Sequence, residues 1–117
     1  MVGDHLDLRL GKGKTNPEEL FAACYGACFQ GAMNVVAPAL GVKMPSKPED
    51  AAVVHTTVHL VGYPKDRDWG LRVHLKVEAK GLRQDDLEKV IARAKTVCPF
   101  ARATEGNVHT TVEAVAL

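Results

Sequence analysis

The sequence predicts an α+β domain in which a mostly antiparallel sheet wraps around buried central helices. Three observations lead there. Segments 53–63 and 70–81 alternate apolar and polar residues with a period of two, as half-buried strands do. Segment 17–37 is almost wholly apolar and opens with helix-start chemistry. Segment 85–98 carries apolar residues at helical spacing on one face. With a short strand at each end, the order reads β-α-β-β-α-β, a single α+β domain over residues 1–117.

Taken in order, "HLDLRLG" (5–11) sets Leu6, Leu8 and Leu10 against Asp7 and Arg9, a half-buried strand, and "GKGK" follows as a loop. In "TNPEELF", Asn16 suits an N-cap, Pro17 the first helical position, and Glu18 and Glu19 the first turn. The helix should run to about Ala37, where Pro38 ends it. Its apolar residues lie all around, the mark of a helix buried on every side, and so short a chain is expected to need a dimer to finish that burial. "GVKMPSKPED" (41–50) is a proline-bearing loop. In 53–63, Val54, Val58 and Leu60 oppose His55, Thr57 and His59. In 70–81, Leu71, Val73, Leu75 and Val77 oppose Arg72, His74, Lys76 and Glu78, and "PKDRDWG" joins the two as a long hairpin turn. Asp85 and Glu88 form a plausible capping pair for the second helix. Its apolar face is Leu87, Val90, Ile91, Ala94 and Val97, with Cys98 pointing the same way roughly three turns after Leu87. Pro99 stops it, and "NVHTTVEAVAL" (107–117) is the final strand.

The totals narrow the function classes. At 117 residues, 46% apolar and 25% charged, the chain has the make-up of a soluble globular domain. A net charge of +1, with both signs scattered, points away from nucleic acid and anionic membranes. The apolar run from Leu20 to Ala37 approaches spanning length. Its Gln30, Asn34, Gly26 and Gly31, and its alanine rather than leucine content, read as a buried helix. Three cysteines and an opening "MVGDHLDLRL" without an apolar signal segment suit a reducing cytoplasm, where a disulfide is more often transient than a staple.

Three constellations could carry chemistry. Cys24 and Cys28 stand one helical turn apart, and Cys98 projects inward from the other long helix. Buried cysteines commonly serve as small hydrophobes. A thiol pair between Cys28 or Cys24 and Cys98 needs Cα atoms within about 4.4–6.8 Å, which packed helices can supply. A mid-helix thiol in apolar surroundings also needs a nearby cation to become a thiolate. His55, His59, His74 and His109 sit on outward strand faces, where they could gather a metal; alternation with Thr, Arg, Lys and Glu reads rather as a solvated face. Glu18 and Glu19 are explained by capping, and Glu18 lies ten residues before Cys28, roughly 15 Å along a straight helix.

"TNPEELFAACYGACFQGAMNVVA" resembles the central-helix motif of the organic hydroperoxide resistance proteins (Ohr) of the OsmC-like family. "AKTVCPFARATEGNVHTTVEAV" resembles their second-cysteine segment, and the pair covers nearly the whole chain from about Asp4. The resemblance implies an OsmC-like fold, an intertwined homodimer, and a cofactor-free thiol peroxidase acting on alkyl and fatty-acid hydroperoxides. It makes Cys28 the peroxidatic cysteine, Cys98 the resolving one, and Glu18 a holder of the catalytic arginine. Dithiols, notably lipoyl groups of dehydrogenase complexes, are the implied reductant. Cys24 falls where the family has a small residue, so it is expected to be a core residue. Family members carry the arginine on a strand pair upstream of the equivalent of Asp4, and this chain is expected to lack it. Arg9 and Arg102 are candidate substitutes, neither at a family motif position. The alternative reading is a non-catalytic or weakly active module that binds an apolar ligand at the dimer interface.

Overall fold

The computed structural model describes residues 16–45, 47–63, 65 and 68–117. The strand expected at 5–11, the loop after it and Arg9 lie outside those residues. The described elements are α1 (Pro17–Val36), β1 (Val53–Tyr63), β2 (Asp68–Ala79), α2 (Gln84–Val97), α3 (Pro99–Thr104) and β3 (His109–Ala116).

α1 begins as its chemistry dictates. Asn16 is extended at the N-cap, its Oδ1 accepts from the Glu19 N–H at 2.8 Å, and Pro17 takes the first turn, where no donor is missed. The buried face of α1 is Tyr25, Gly26, Phe29, Ala32, Met33 and Val36. Ala23, Cys24, Ala27, Gly31 and Val35 stay exposed, Val35 at 76%. Burial on every side is therefore not met within one chain. The sheet covers one flank of α1 and the α2–α3 pair another, and two layers cannot enclose a cylinder.

The strands run β1-β2-β3 across the sheet. β1 and β2 pair antiparallel from Val53↔Glu78 to Tyr63↔Asp68, so the turn between them is shorter than the sequence suggests. β2 and β3 pair parallel, from Arg72↔His109 to Ala79↔Ala116. The sheet described is thus mixed. A parallel neighbour needs a crossover, and α2 with α3 supplies it. Central β2 turns Val73, Leu75, Val77 and Ala79 inward, all essentially without solvent contact. Each of the three larger side chains contributes about 1.5–3 kcal/mol by leaving water.

α2 buries Leu87, Val90, Ile91 and Ala94. Val97, expected with them, is 39% exposed, because it lies round the edge of that stripe. The expected Asp85–Glu88 capping pair does not form. The helix starts one residue earlier, with Arg83 at the N-cap, and Asp85 inside the first turn takes Arg83 Nη2 at 3.0 Å instead. Gln84 meets the β3 backbone: its Nε2 donates to Ala114 O at 2.8 Å and its Oε1 accepts from Ala116 N at 2.9 Å.

α1 sits on β1 at one tight point. A Cβ on Gly26 would lie 2.5 Å from Thr56 Oγ1, while Val54 O and Thr56 Cβ would be ordinary neighbours at 3.6 and 3.7 Å. Thr56 Oγ1 is buried there without a hydrogen-bond partner among the described residues. A Gly26→Ala change gains about 1 kcal/mol of helix propensity but forces an overpacking cost of about 1–3 kcal/mol. Urea unfolding should show Gly26→Ala destabilising in the parent chain and stabilising in a Thr56→Ala background; the same sign in both would show that Thr56 Oγ1 does not set the helix–strand distance.

Candidate active site

Cys28 and Cys98 come together. Their sulfurs are 3.4 Å apart, with Cys98 Sγ donating to Cys28 Sγ, and both thiols are free. A disulfide bond is about 2.05 Å long, so a movement of about 1.4 Å closes the pair.

Local sequence explains why each sulfur is where it is. At about 100° per residue, Cys28 falls at the border between the buried and open faces of α1. It is partly buried and packs on the core. Cys24 falls about 40° further round and is exposed, which corrects its reading as a core residue. Cys98 ends α2 and precedes Pro99, which disfavours the helical region for the residue before it. Cys98 is accordingly extended, at φ −64° and ψ 120°. Its N–H bonds Ala94 O at 2.8 Å and its carbonyl accepts from Arg102 N at 3.0 Å. It thus joins two helices with its sulfur fully enclosed, at 0% exposure.

Burial, the largest effect, pushes the Cys98 thiol above the ordinary cysteine range. The main chain at Ala101 and, more weakly, at Phe100 favours the charged form and pulls the other way. The hydrogen bond to Cys28 and the charge Cys28 carries as a thiolate push it up again.

An aromatic group flanks the pair. Phe21 and Tyr25 pack edge-on at 6.0 Å between centroids, Phe21 and Phe100 at 5.6 Å, and Tyr25 and Phe100 at 5.6 Å. The sequence reading missed α3 and this cluster. The signals were there: proline at a first helical position after Cys98, and two aromatics four apart, Phe21 and Tyr25, about two turns and one turn before Cys28.

The other expected residues lie elsewhere. Glu18 is in the first turn of α1, lining a groove with Thr57, Val58 and Leu60 of β1, away from the thiols within one chain. Arg102 is exposed and lines a different groove with Tyr25, Lys95 and Thr110, to which neither Cys28 nor Cys98 contributes. On the outer sheet face, His55 meets Glu78 at 3.4 Å, and His74 meets Glu113 at 3.4 Å and Thr111 at 2.6 Å. Among the described residues no group of three or more His, Cys, Asp or Glu is placed to hold a metal. No described helix is long and apolar enough to cross a membrane.

The family model for OsmC-like proteins matches residues 10–113. The chain belongs to the OsmC-like family. Among its relatives, the organic hydroperoxide resistance protein OhrA of Bacillus subtilis is 38% identical over 99 residues, 85% of this chain and 66% of that protein. An organic hydroperoxide resistance protein of Xanthomonas axonopodis pv. citri is 35% identical over 102 residues, 87% of this chain and 68% of that protein. The chain therefore spans about two thirds of the length of these curated OsmC-like relatives. The crystal structure of OhrB of Bacillus subtilis superposes with a TM-score of 0.77 at 32% identity, covering 88% of this chain and 72% of that one. That of an organic hydroperoxide resistance protein from Elizabethkingia anophelis gives 0.80 at 29%, covering 94% and 79%.

In this OsmC-like chain the reduced Cys98 should ionise only above the ordinary thiol range, as read by the pH dependence of the ultraviolet thiolate absorbance that is lost in Cys98→Ser. Replacing Cys28 by Ala removes both upward effects of that neighbour, so the midpoint should fall. An unchanged midpoint would show that Cys28 does not act on Cys98.

Proposed function

We propose that this chain is a thiol peroxidase that reduces organic hydroperoxides, with Cys28 as nucleophile and Cys98 as resolving thiol. The observation that carries the reading is the 3.4 Å contact between a partly buried and a fully buried thiol in an apolar, aromatic setting. Its support from relatives is that several with 33–38% identity are named organic hydroperoxide resistance proteins. The alternative of a non-catalytic module holding an apolar ligand has no use for that sulfur contact.

The Cys28 thiolate attacks the distal peroxide oxygen. The O–O bond breaks, the alkoxide leaves and takes a proton to become the alcohol, and Cys28 becomes a sulfenic acid. The Cys98 thiolate then attacks the Cys28 sulfur and expels hydroxide, which is protonated to water, forming the disulfide. An external dithiol restores both thiols by exchange, and a lipoyl group has that chemistry. An apolar approach suits the organic part of the peroxide. Glu18 is assigned by resemblance to hold the cation that favours the Cys28 thiolate. Ten residues from Cys28, it does so at longer range, through that cation or across a dimer interface.

A homodimer is part of the proposal. Its support is apolar surface that one chain leaves uncovered: Leu60 at 55% and Trp69 at 61%, on the sheet face that turns inward along β2, and Val35 on the open face of α1. Sedimentation equilibrium should give twice the mass of the chain, and a monomer at micromolar concentration would refute this part.

The peroxidase reading is tested with tert-butyl hydroperoxide and dithiothreitol. Cys28→Ser should lower turnover by about a hundredfold or more, because a hydroxyl is a far poorer nucleophile than a thiolate. Cys98→Ser should complete one oxidation and leave a sulfenic acid that dimedone labels on Cys28. Wild-type turnover in Cys28→Ser would overturn the assignment.

A further inference from the structure

We propose that the groove floored by Tyr25 is a second ligand site, and that it takes a small aliphatic carboxylate. It stands apart from the thiols and from the apolar surface assigned to a dimer, since none of Cys28, Cys98, Leu60, Trp69 and Val35 lines it. A ligand there neither needs nor excludes reaction at Cys28.

The groove forms where the end of α2 brings Lys95, α3 brings Arg102, β3 brings Thr110 and α1 brings Tyr25. Its volume is about 470 Å³, within the range of small-molecule sites. Tyr25 is 1% exposed, and a tyrosine hydroxyl buried so deeply ordinarily has a partner. This one has none among the described residues. Thr56 Oγ1 is the fully enclosed side-chain oxygen left unpaired among them, so the small surface that Tyr25 keeps includes its hydroxyl.

The side-chain donors of the groove select the ligand. A threonine hydroxyl has a single proton to give. Thr96 gives its proton to Arg93 O at 2.7 Å, Thr104 to Phe100 O at 2.8 Å, and Thr110 to Val108 O at 3.3 Å. The donors left over are the Tyr25 hydroxyl, the Lys95 ammonium and the Arg102 guanidinium, and neither cation has an ion pair among the described residues. Glu105 lines the groove too, so two cations against one carboxylate leave one positive charge in excess. One bound carboxylate balances it, with Arg102 suited to hold both oxygens and the Tyr25 hydroxyl to donate to one. Ala101 and Val108 line the same groove and give an apolar wall for a carbon chain. Inorganic phosphate would bring more charge than the groove balances and no chain for that wall.

The test is isothermal titration calorimetry on the full chain, thiols reduced, with hexanoate as the probe. Saturable binding is expected at about millimolar concentration or below. Hexanol keeps the chain without the charge, and inorganic phosphate the charge without the chain; each should bind about tenfold more weakly or worse. Tyr25→Phe removes only an unpartnered hydroxyl, so urea unfolding should barely change while hexanoate binding weakens about fivefold. Arg102→Gln should weaken it about tenfold. Amide chemical shifts should move at Lys95, Arg102, Gly106 and Thr110, and not at Ala27, Cys28 and Gly31. The proposal is overturned by no saturable binding, or by hexanol or phosphate binding as tightly as hexanoate. Full affinity in both variants, or shifts confined to the open face of α1, overturns it equally. None of these outcomes touches the peroxidase reading, which falls with turnover in Cys28→Ser.

Discussion

The packing of α1 along one face only is the constraint on which the rest depends. Tyr25, Phe29, Met33 and Val36 bury themselves against the sheet and the α2–α3 pair, while the opposite face stays open. A helix buried all round would seal Cys28 as completely as Cys98. A helix lying on the surface would leave it without the neighbour 3.4 Å away. The border position leaves one sulfur partly open within the chain, while the other is fully enclosed beside it. Gly26 sets the depth at which α1 sits, since any larger residue would strike Thr56.

Pro99 makes the second half of the site. By excluding the helical conformation at Cys98 it ends α2, bends the chain and starts α3. The first turn of α3 closes on the carbonyl of Cys98, which accepts from Arg102 N at 3.0 Å. Two opposing effects meet at that atom. Burial favours the neutral thiol and so keeps Cys98 quiet in the resting protein. The main chain at Ala101 and Phe100 works against burial at that atom, and burial, the larger effect, wins.

Much of this was legible before the fold was known, and the parts that were not have physical reasons. The two hairpin strands and both long helices could be read because each has a period that only one backbone geometry satisfies. The parallel pairing of β3 could not, since strand direction depends on the crossover that α2 and α3 build. Chain pattern showed Cys98 turned inward. It did not show α3, because six residues are too few to display a helical period. The Asp85–Glu88 cap failed as an expectation because a competing start one residue earlier lets Gln84 bond the β3 backbone. That contact joins residues 30 and 32 apart, beyond the reach of a local capping rule.

Cys24 shows how finely a helix separates roles. It has the same chemistry as Cys28, lies one turn away, and differs by about 40° of rotation. In an intact helix, side chains four apart have Cβ atoms about 5–6 Å from each other, whereas a disulfide needs about 3.8 Å. Cys24 cannot bridge to Cys28 without unwinding α1, and α1 cannot unwind there without uncovering Tyr25 and Phe29. The rigidity that holds Cys28 to Cys98 therefore also withholds it from Cys24. Selection between two candidate partners for one sulfur is made by the backbone rather than by thiol reactivity. The buried residue is chosen over the exposed one because it alone comes within bonding reach.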